Sequence, residues 1–296
     1  MADNTLYYGD NLEILKLHIP AETVDLVYLD PPFNSNQNYN VLFKEKNGAQ
    51  AASQARAFED TWTCSSDDEE LYADLAIKGD KVADCLKAFR TFLGPCDMLA
   101  YLVMMAPRLV ELRRVMKPAA SIYLHCDPAA SHYLKMLMDG VFRPDSFRNE
   151  VIWKRTSIHG DPIQFGAVHD VLLFYGKSKS EWTWNRQYTE HDESYVRSHY
   201  RSIDKNGRRF MLDNATAAGP GPSRIFFGKE LVPPPGTHWR WSQESIDKLI
   251  PQGKIVLTKN GRPRFMRFLD EMKGVPIGDV WTDIPPIKSQ ALDRLG

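Results

Sequence analysis

Long hydrophobic runs are missing from this chain. No stretch of about 18 consecutive apolar residues occurs, which argues against a membrane-spanning helix. The amino-terminal Met-Ala-Asp-Asn carries no basic and apolar leader, so a cytoplasmic protein with no membrane partner is expected. Cysteine is scarce too. Cys64, Cys85, Cys96 and Cys126 show no Cys-x-x-Cys spacing, which argues against both a disulfide framework and a zinc site; reduced thiols and no bound metal are expected. Net charge is nearly absent, at −1, but that total hides an uneven distribution. Between Arg197 and Lys273 there are 15 Lys and Arg against 7 Asp and Glu, a balance of +8 that leaves −9 for the remainder. A basic segment of this kind suits a polyanion, because neutralising phosphates supplies most sequence-independent affinity for DNA.

What is present is a globular chain, 43% hydrophobic and large enough for one sizeable core or two modest ones. It is organised around Val24-Asp-Leu-Val-Tyr-Leu-Asp30-Pro31-Pro32-Phe33. The apolar, β-branched run predicts a buried strand, and the two prolines must end it at Asp30. In an open α/β sheet the crevice at the carboxyl ends of the strands is where ligands bind, which puts Asp30 to Phe33 there. The four residues make one chemical unit. The Asp30 carboxylate and the Pro31 carbonyl can accept hydrogen bonds from one NH2 group, while Phe33 stacks on the ring that bears it. An aromatic amine is a poor nucleophile because its lone pair is delocalised into the ring. Two fixed acceptors would localise it as a methyl group arrives.

This stretch resembles the Asp-Pro-Pro-Tyr/Phe motif of amino-group DNA methyltransferases. Upstream, Leu6-Tyr-Tyr-Gly-Asp-Asn-Leu-Glu-Ile-Leu15 resembles the strand, Gly-Asp turn and helix that open their permuted class, in which the catalytic half comes first. The resemblance implies an α/β fold. A Rossmann-like methyltransferase sheet would occupy residues 1–180, an irregular basic target-recognition domain 181–285, and a lead-in to the cofactor-binding half 286–296. It implies S-adenosylmethionine as cofactor, double-stranded DNA as partner and a restriction subunit as a further partner. Asp rather than Ser before Pro-Pro points to adenine. Asp10 and Asn11, together with Asp30, are the candidate cofactor contacts; for Asp10 and Asn11 a helix cap is the equal alternative. Asn34, in the polar loop Asn34 to Asn40, is a candidate for covering the flipped base or touching DNA. The Thr-x-Lys-Pro and Phe-x-Gly-x-Gly segments that follow the recognition domain in this class do not occur. Gly219-Pro-Gly221 follows no predicted strand and is read as a turn. Without the cofactor half an edge strand would stay unpaired, and poor solubility or self-association of the chain is expected.

The rest of the catalytic half reads as ordinary structure. Residues 44–80 look like a polar insertion, pinned by Phe58 and Trp62, whose acidic run Asp67 to Glu70 is a solvated face. Helical spacing predicts a core helix from Met98 to Met116, ended by Lys117-Pro118, then a strand Ser121 to Cys126 and a helix Pro128 to Met138. Pro95-Cys96 lies in a helix lead-in with no Glu-Asn-Val partner following, so Cys96 is structural rather than a nucleophile. His125, Cys126 and Asp127 tempt one toward a nucleophile or metal site, but alternation turns His125 and Cys126 to opposite faces. Asn149 to Lys154 and His169 to Tyr175 are further sheet strands, and Trp153 and Tyr175 are expected to be buried core aromatics. From Glu181 onward periodicity fades and Pro, Gly, Trp and Arg become frequent. Arg208, Arg209, Arg240, Trp241, Arg262 and Arg264 are the candidate DNA contacts there.

Overall fold

The computed structural model describes residues 4–31, 66–157, 163 and 165–285, and the chain divides into two compact units. The first comprises residues 1–185 and 278–296, the second 186–277. The division falls at 185 and 277 rather than at 180 and 285. Val280–Trp281 forms a strand that pairs with the first unit's sheet, which returns the end of the expected recognition region to the first unit.

In the first unit, α1 (Asn11–His18) leads into β1 (Val24–Leu29). Helices α2 (Ser66–Ile77), α3 (Lys81–Leu93) and α4 (Asp97–Val115) precede β2 (Met116–Cys126), α5 (Pro128–Phe142), β3 (Phe147–Lys154) and β4 (His169–Gly176). The sheet runs β1, β2, β4, β3 and the Val280–Trp281 strand. β1 is parallel to β2, whereas β4 is antiparallel to both β2 and β3. β1 and the Val280–Trp281 strand are its two edges among the described residues.

The alternation of side chains decides what each sheet face does. Val27, Ile122, Leu124, Cys126, Val171, Leu173 and Tyr175 point one way, into a core shared with α3, α4 and α5. α4 is buried almost all round between Leu99 and Ala106, which explains an apolar run denser than one helix face needs. The opposite face carries Leu26, Tyr28, Tyr123, His125, Asp170, Leu172 and Phe174, as the strand register requires.

Several local expectations are corrected. The helix predicted to end at Met138 continues to Phe142, and β2 begins at Met116, taking in Lys117 and Pro118. The acidic run opens α2, and Glu69 is bound to Arg90 at 2.5 Å rather than solvated alone. Asp127 caps α5, its carboxylate accepting from Ala130 N at 2.9 Å with Pro128 in the first turn. Phe58, Trp62 and the Asn34 to Asn40 loop lie outside the described residues.

The second unit is not irregular. It holds a four-stranded antiparallel sheet in the order Ile255–Leu257, Pro263–Phe268, Arg209–Asn214, Ser202–Ile203, with three two-stranded ladders beside it. Strands of two to six residues are too short for alternation to be read from sequence. Phe226, Trp239, Ile246, Ile255 and Ala215 form its core, against which Trp241 and Phe265 pack. At Gly221 an added Cβ would fall 2.3 Å from His238 Cβ, so the Gly219-Pro-Gly221 bend needs glycine there to lie against the Thr237–Trp239 strand. None of the described helices is long and apolar enough to cross a membrane.

Candidate active site

Asp30 follows β1 directly and stands at the carboxyl end of that strand, its side chain 57% exposed. Pro31 is buried beside it. Because β2 runs parallel to β1 with Leu29 opposite Leu124, the next residue on β2, His125, comes level with Asp30. Its Nδ1 lies 2.9 Å from Asp30 Oδ1. The other ring nitrogen, Nε2, lies 3.1 Å from Oδ2 of Asp170, which sits near the start of the antiparallel β4. Arg155 Nε lies 3.2 Å from the same Asp170 oxygen, in an ion pair. His125 and Asp170 are both buried, at 7% and 3% exposure, so this row of charges closes at a single exposed carboxylate.

Burial alone would lower the His125 pKa, but hydrogen bonds to Asp170 and Asp30, with the charge of both, outweigh it and lift the value to about 9. At neutral pH the ring is an imidazolium that donates from both nitrogens. Among the described residues, no donor engages the second Asp30 oxygen, Oδ2. Burial, then the charges of Asp30 and Asp170, also raises the pKa of Tyr28, which keeps the phenol neutral.

Next to this row is an apolar recess of about 350 Å³ lined by Leu26, Tyr28, Tyr123, Trp153, Leu172, Trp281 and Ile284. Trp153 is only half-buried. Its indole Nε1 donates to the Ile284 carbonyl at 2.8 Å and its ring lies 5.8 Å from that of His125. The expectation of a core tryptophan is thus corrected, because Trp153 pairs with Asp170 and therefore faces the recess. Tyr175 is fully buried, with its hydroxyl on Asp139 at 2.7 Å.

Asp10 and Asn11 are committed elsewhere. One Asp10 oxygen caps α1 through Leu12 N at 2.7 Å, and the other accepts from Arg108 at 2.6 Å. The Asn11 side-chain oxygen accepts from Arg108 Nε at 2.8 Å. Their acceptors hold α1 to α4. Pro32, Phe33 and Asn34 lie outside the described residues.

The basic candidates all belong to the second unit. Arg208 grips Asp270 through two bonds of 2.8 Å, reaches Glu271 at 3.0 Å and covers the Phe268 ring at 3.9 Å. Its guanidinium is engaged by both carboxylates. Arg240 lies 3.4 Å from Asp213, Arg264 is bound to Asn214, and Trp241 packs on Phe265 at 5.1 Å between ring centres. Arg209 and Arg262 are exposed.

Sequence reasoning missed His125, Asp170, Arg155 and Trp153. The alternation that separated His125 from Cys126 was sound, but it also turned His125 to the Asp30 face. A signal was available: His125 ends a strand, as Asp30 does, and neighbouring parallel strands bring such ends together.

A family model described as DNA methylase matches residues 24–291. The chain belongs to the DNA methylase family. Among its relatives is the Type II methyltransferase M.EcaI of Enterobacter cloacae, 26% identical over 98% of this chain and 54% of the relative. The StyLTI Mod subunit, of a Type III restriction-modification enzyme of Salmonella typhimurium, is 24% identical over 99% of this chain and 43% of its own length. The corresponding EcoP15I Mod subunit of Escherichia coli is 23% identical over 86% and 42%. The chain spans about half the length of the curated relatives it matches.

Proposed function

We propose that this DNA methylase transfers a methyl group to the exocyclic amino group of a flipped adenine within specific sequences of double-stranded DNA. The observation that carries the reading is the Asp30 carboxylate, exposed at the carboxyl end of β1 and held from behind by His125. S-adenosylmethionine, the donor implied by the family resemblance, supplies an electrophilic methyl group when bound.

This chain's residues act on the acceptor. Asp30 Oδ2 and the Pro31 carbonyl take the two N–H bonds of the amino group, which draws its lone pair out of conjugation with the ring. As positive charge develops on that nitrogen, the adjacent carboxylate stabilises it without having to reorganise; the S–C bond to the methyl group breaks to leave a neutral thioether, and one amino proton is released through Asp30 Oδ2. No covalent bond between protein and base is needed. Flipping costs a few kcal/mol, offset by contacts in the site and by phosphate neutralisation along the second unit. Arg209, Arg240, Arg262, Arg264 and Trp241 are the proposed DNA contacts of that unit. A restriction subunit is the proposed protein partner, since two of the relatives are named as subunits of restriction-modification enzymes.

Replacing Asp30 by Ala tests the assignment. Transfer to DNA should fall by at least about 100-fold, the usual loss for one preorganised group, while DNA affinity stays within about twofold. Methylation at the unaltered rate would refute the role of Asp30. A second reading, a DNA-binding piece that relies on another chain for the cofactor, draws support from the commitment of Asp10 and Asn11 to Arg108. Calorimetry of this chain with S-adenosylmethionine, with and without DNA, separates the two: a silent titration favours the second reading.

A further inference from the structure

The Asp30 side chain is more than half exposed. Among the described residues, the side-chain hydrogen bond that holds it runs from Oδ1 to His125 Nδ1 at 2.9 Å. His125 in turn is tightly fixed. Its ring is buried, Asp170 holds Nε2 at 3.1 Å, and Trp153 stands at its side. Asp170 is itself clamped by Arg155 at 3.2 Å. Each member thus orients the next, and the chain of contacts runs from a charged group on the segment after β3, through β4 and β2, to the carboxylate after β1.

We propose that His125 is a positioning residue for methyl transfer: as an imidazolium fixed by Asp170 it pins one oxygen of Asp30, so that the other faces the amino group of the base. The proposal rests on the reading of Asp30 given above. A free carboxylate would rotate between several staggered positions, only some of which point Oδ2 at an incoming amine. Fixing one oxygen from behind selects among them before the base arrives, and such preorganisation is what second-layer hydrogen bonds supply at a reacting group. Asp170 is as necessary as Asp30, because it determines that Nε2 carries a proton and so fixes the charge and orientation of the ring.

The groups facing His125 among the described residues are few. β1 and its end contribute Tyr28 and Asp30, β4 contributes Asp170, the end of β3 contributes Arg155 on the far side of Asp170, and Tyr123 precedes His125 on its own face of β2. Both tyrosines are held neutral at ordinary pH by burial, reinforced at Tyr28 by the two carboxylates. Among the described residues, the charges that raise the His125 pKa are those of Asp170 and Asp30. His125 should stay protonated until the pH approaches about 9.

Two readouts test this. The first needs no activity: the His125 imidazole is followed by heteronuclear NMR in the full chain through a pH titration. Its midpoint should lie well above that of an ordinary histidine, and Asp170→Asn and Asp30→Asn should each move it down by at least one pH unit. A midpoint near the ordinary value, unmoved by Asp170→Asn, would overturn the proposal. The second uses the encoded protein with DNA and S-adenosylmethionine. His125→Ala should lower kcat at least tenfold with KM for DNA nearly unchanged, His125→Asn should restore part of it by donating to Asp30, and Asp170→Asn should shift the alkaline fall of the rate to lower pH. If Asp30→Ala abolishes transfer but His125→Ala leaves kcat and its pH profile alone, the positioning role fails and the assignment of Asp30 stands. If Asp30→Ala leaves transfer intact, the assignment itself fails, while the NMR titration still judges the network.

Discussion

At the scale of the residue, this fold couples its stability to the protonation of one histidine. His125 is held near pKa 9 in the folded chain against an ordinary value of 6.5. A group whose pKa is raised by folding stabilises the fold fully below its unfolded value, and that contribution is lost as pH climbs through the folded value. The chain should therefore lose about 1–2 kcal/mol of stability between roughly pH 6.5 and 9, once the exposure of Asp30 is allowed for. Urea denaturation across that range checks it, with His125→Asn expected to flatten the dependence; parallel curves for the two proteins would contradict it. The end of β1 before Asp30 was legible because a strand running into two prolines has one physical outcome. His125 was not, since its partners come from three strands whose order no single sequence displays.

At the scale of the element, α4 is the helix around which the first unit packs. It meets α1, α2, α3 and α5, and Leu109 within it is wholly buried. Leu109→Ala should cost about 2–5 kcal/mol, the usual range for a cavity in a packed core, measured as a lowered urea midpoint with unchanged slope. A loss below about 1 kcal/mol would mean that the surrounding helices close over the gap. This helix was readable because its apolar spacing extends over several turns and Lys117-Pro118 follows it. The strands of the second unit were not readable, because many are only two or three residues long and draw their stability from partners distant in sequence. Arg264 faces Asn214 and Phe265 faces Asp213, pairings some fifty residues apart that leave no local trace.

At the scale of the whole molecule, charge is segregated. The segment Arg197 to Lys273 carries +8 while the remainder carries −9, and the site at Asp30 belongs to the acidic part of the sequence. Affinity for DNA should therefore fall steeply with salt, and each phosphate contact removed should lower the slope of log K against log salt by about 1. Arg209→Ala and Arg262→Ala, both exposed, should have that effect. Arg208→Ala should instead lower the melting temperature, since its guanidinium binds Asp270 and Glu271. An unchanged salt slope in the first two variants would remove them from the interface. The most direct test of the central claim is the identity of the product. DNA incubated with the encoded protein and S-adenosylmethionine is digested to nucleosides and analysed by mass spectrometry. N6-methyladenine, absent when Asp30 is replaced by Ala, is the predicted result; methylation at a ring carbon, as in 5-methylcytosine, would contradict an amino-directed site at Asp30.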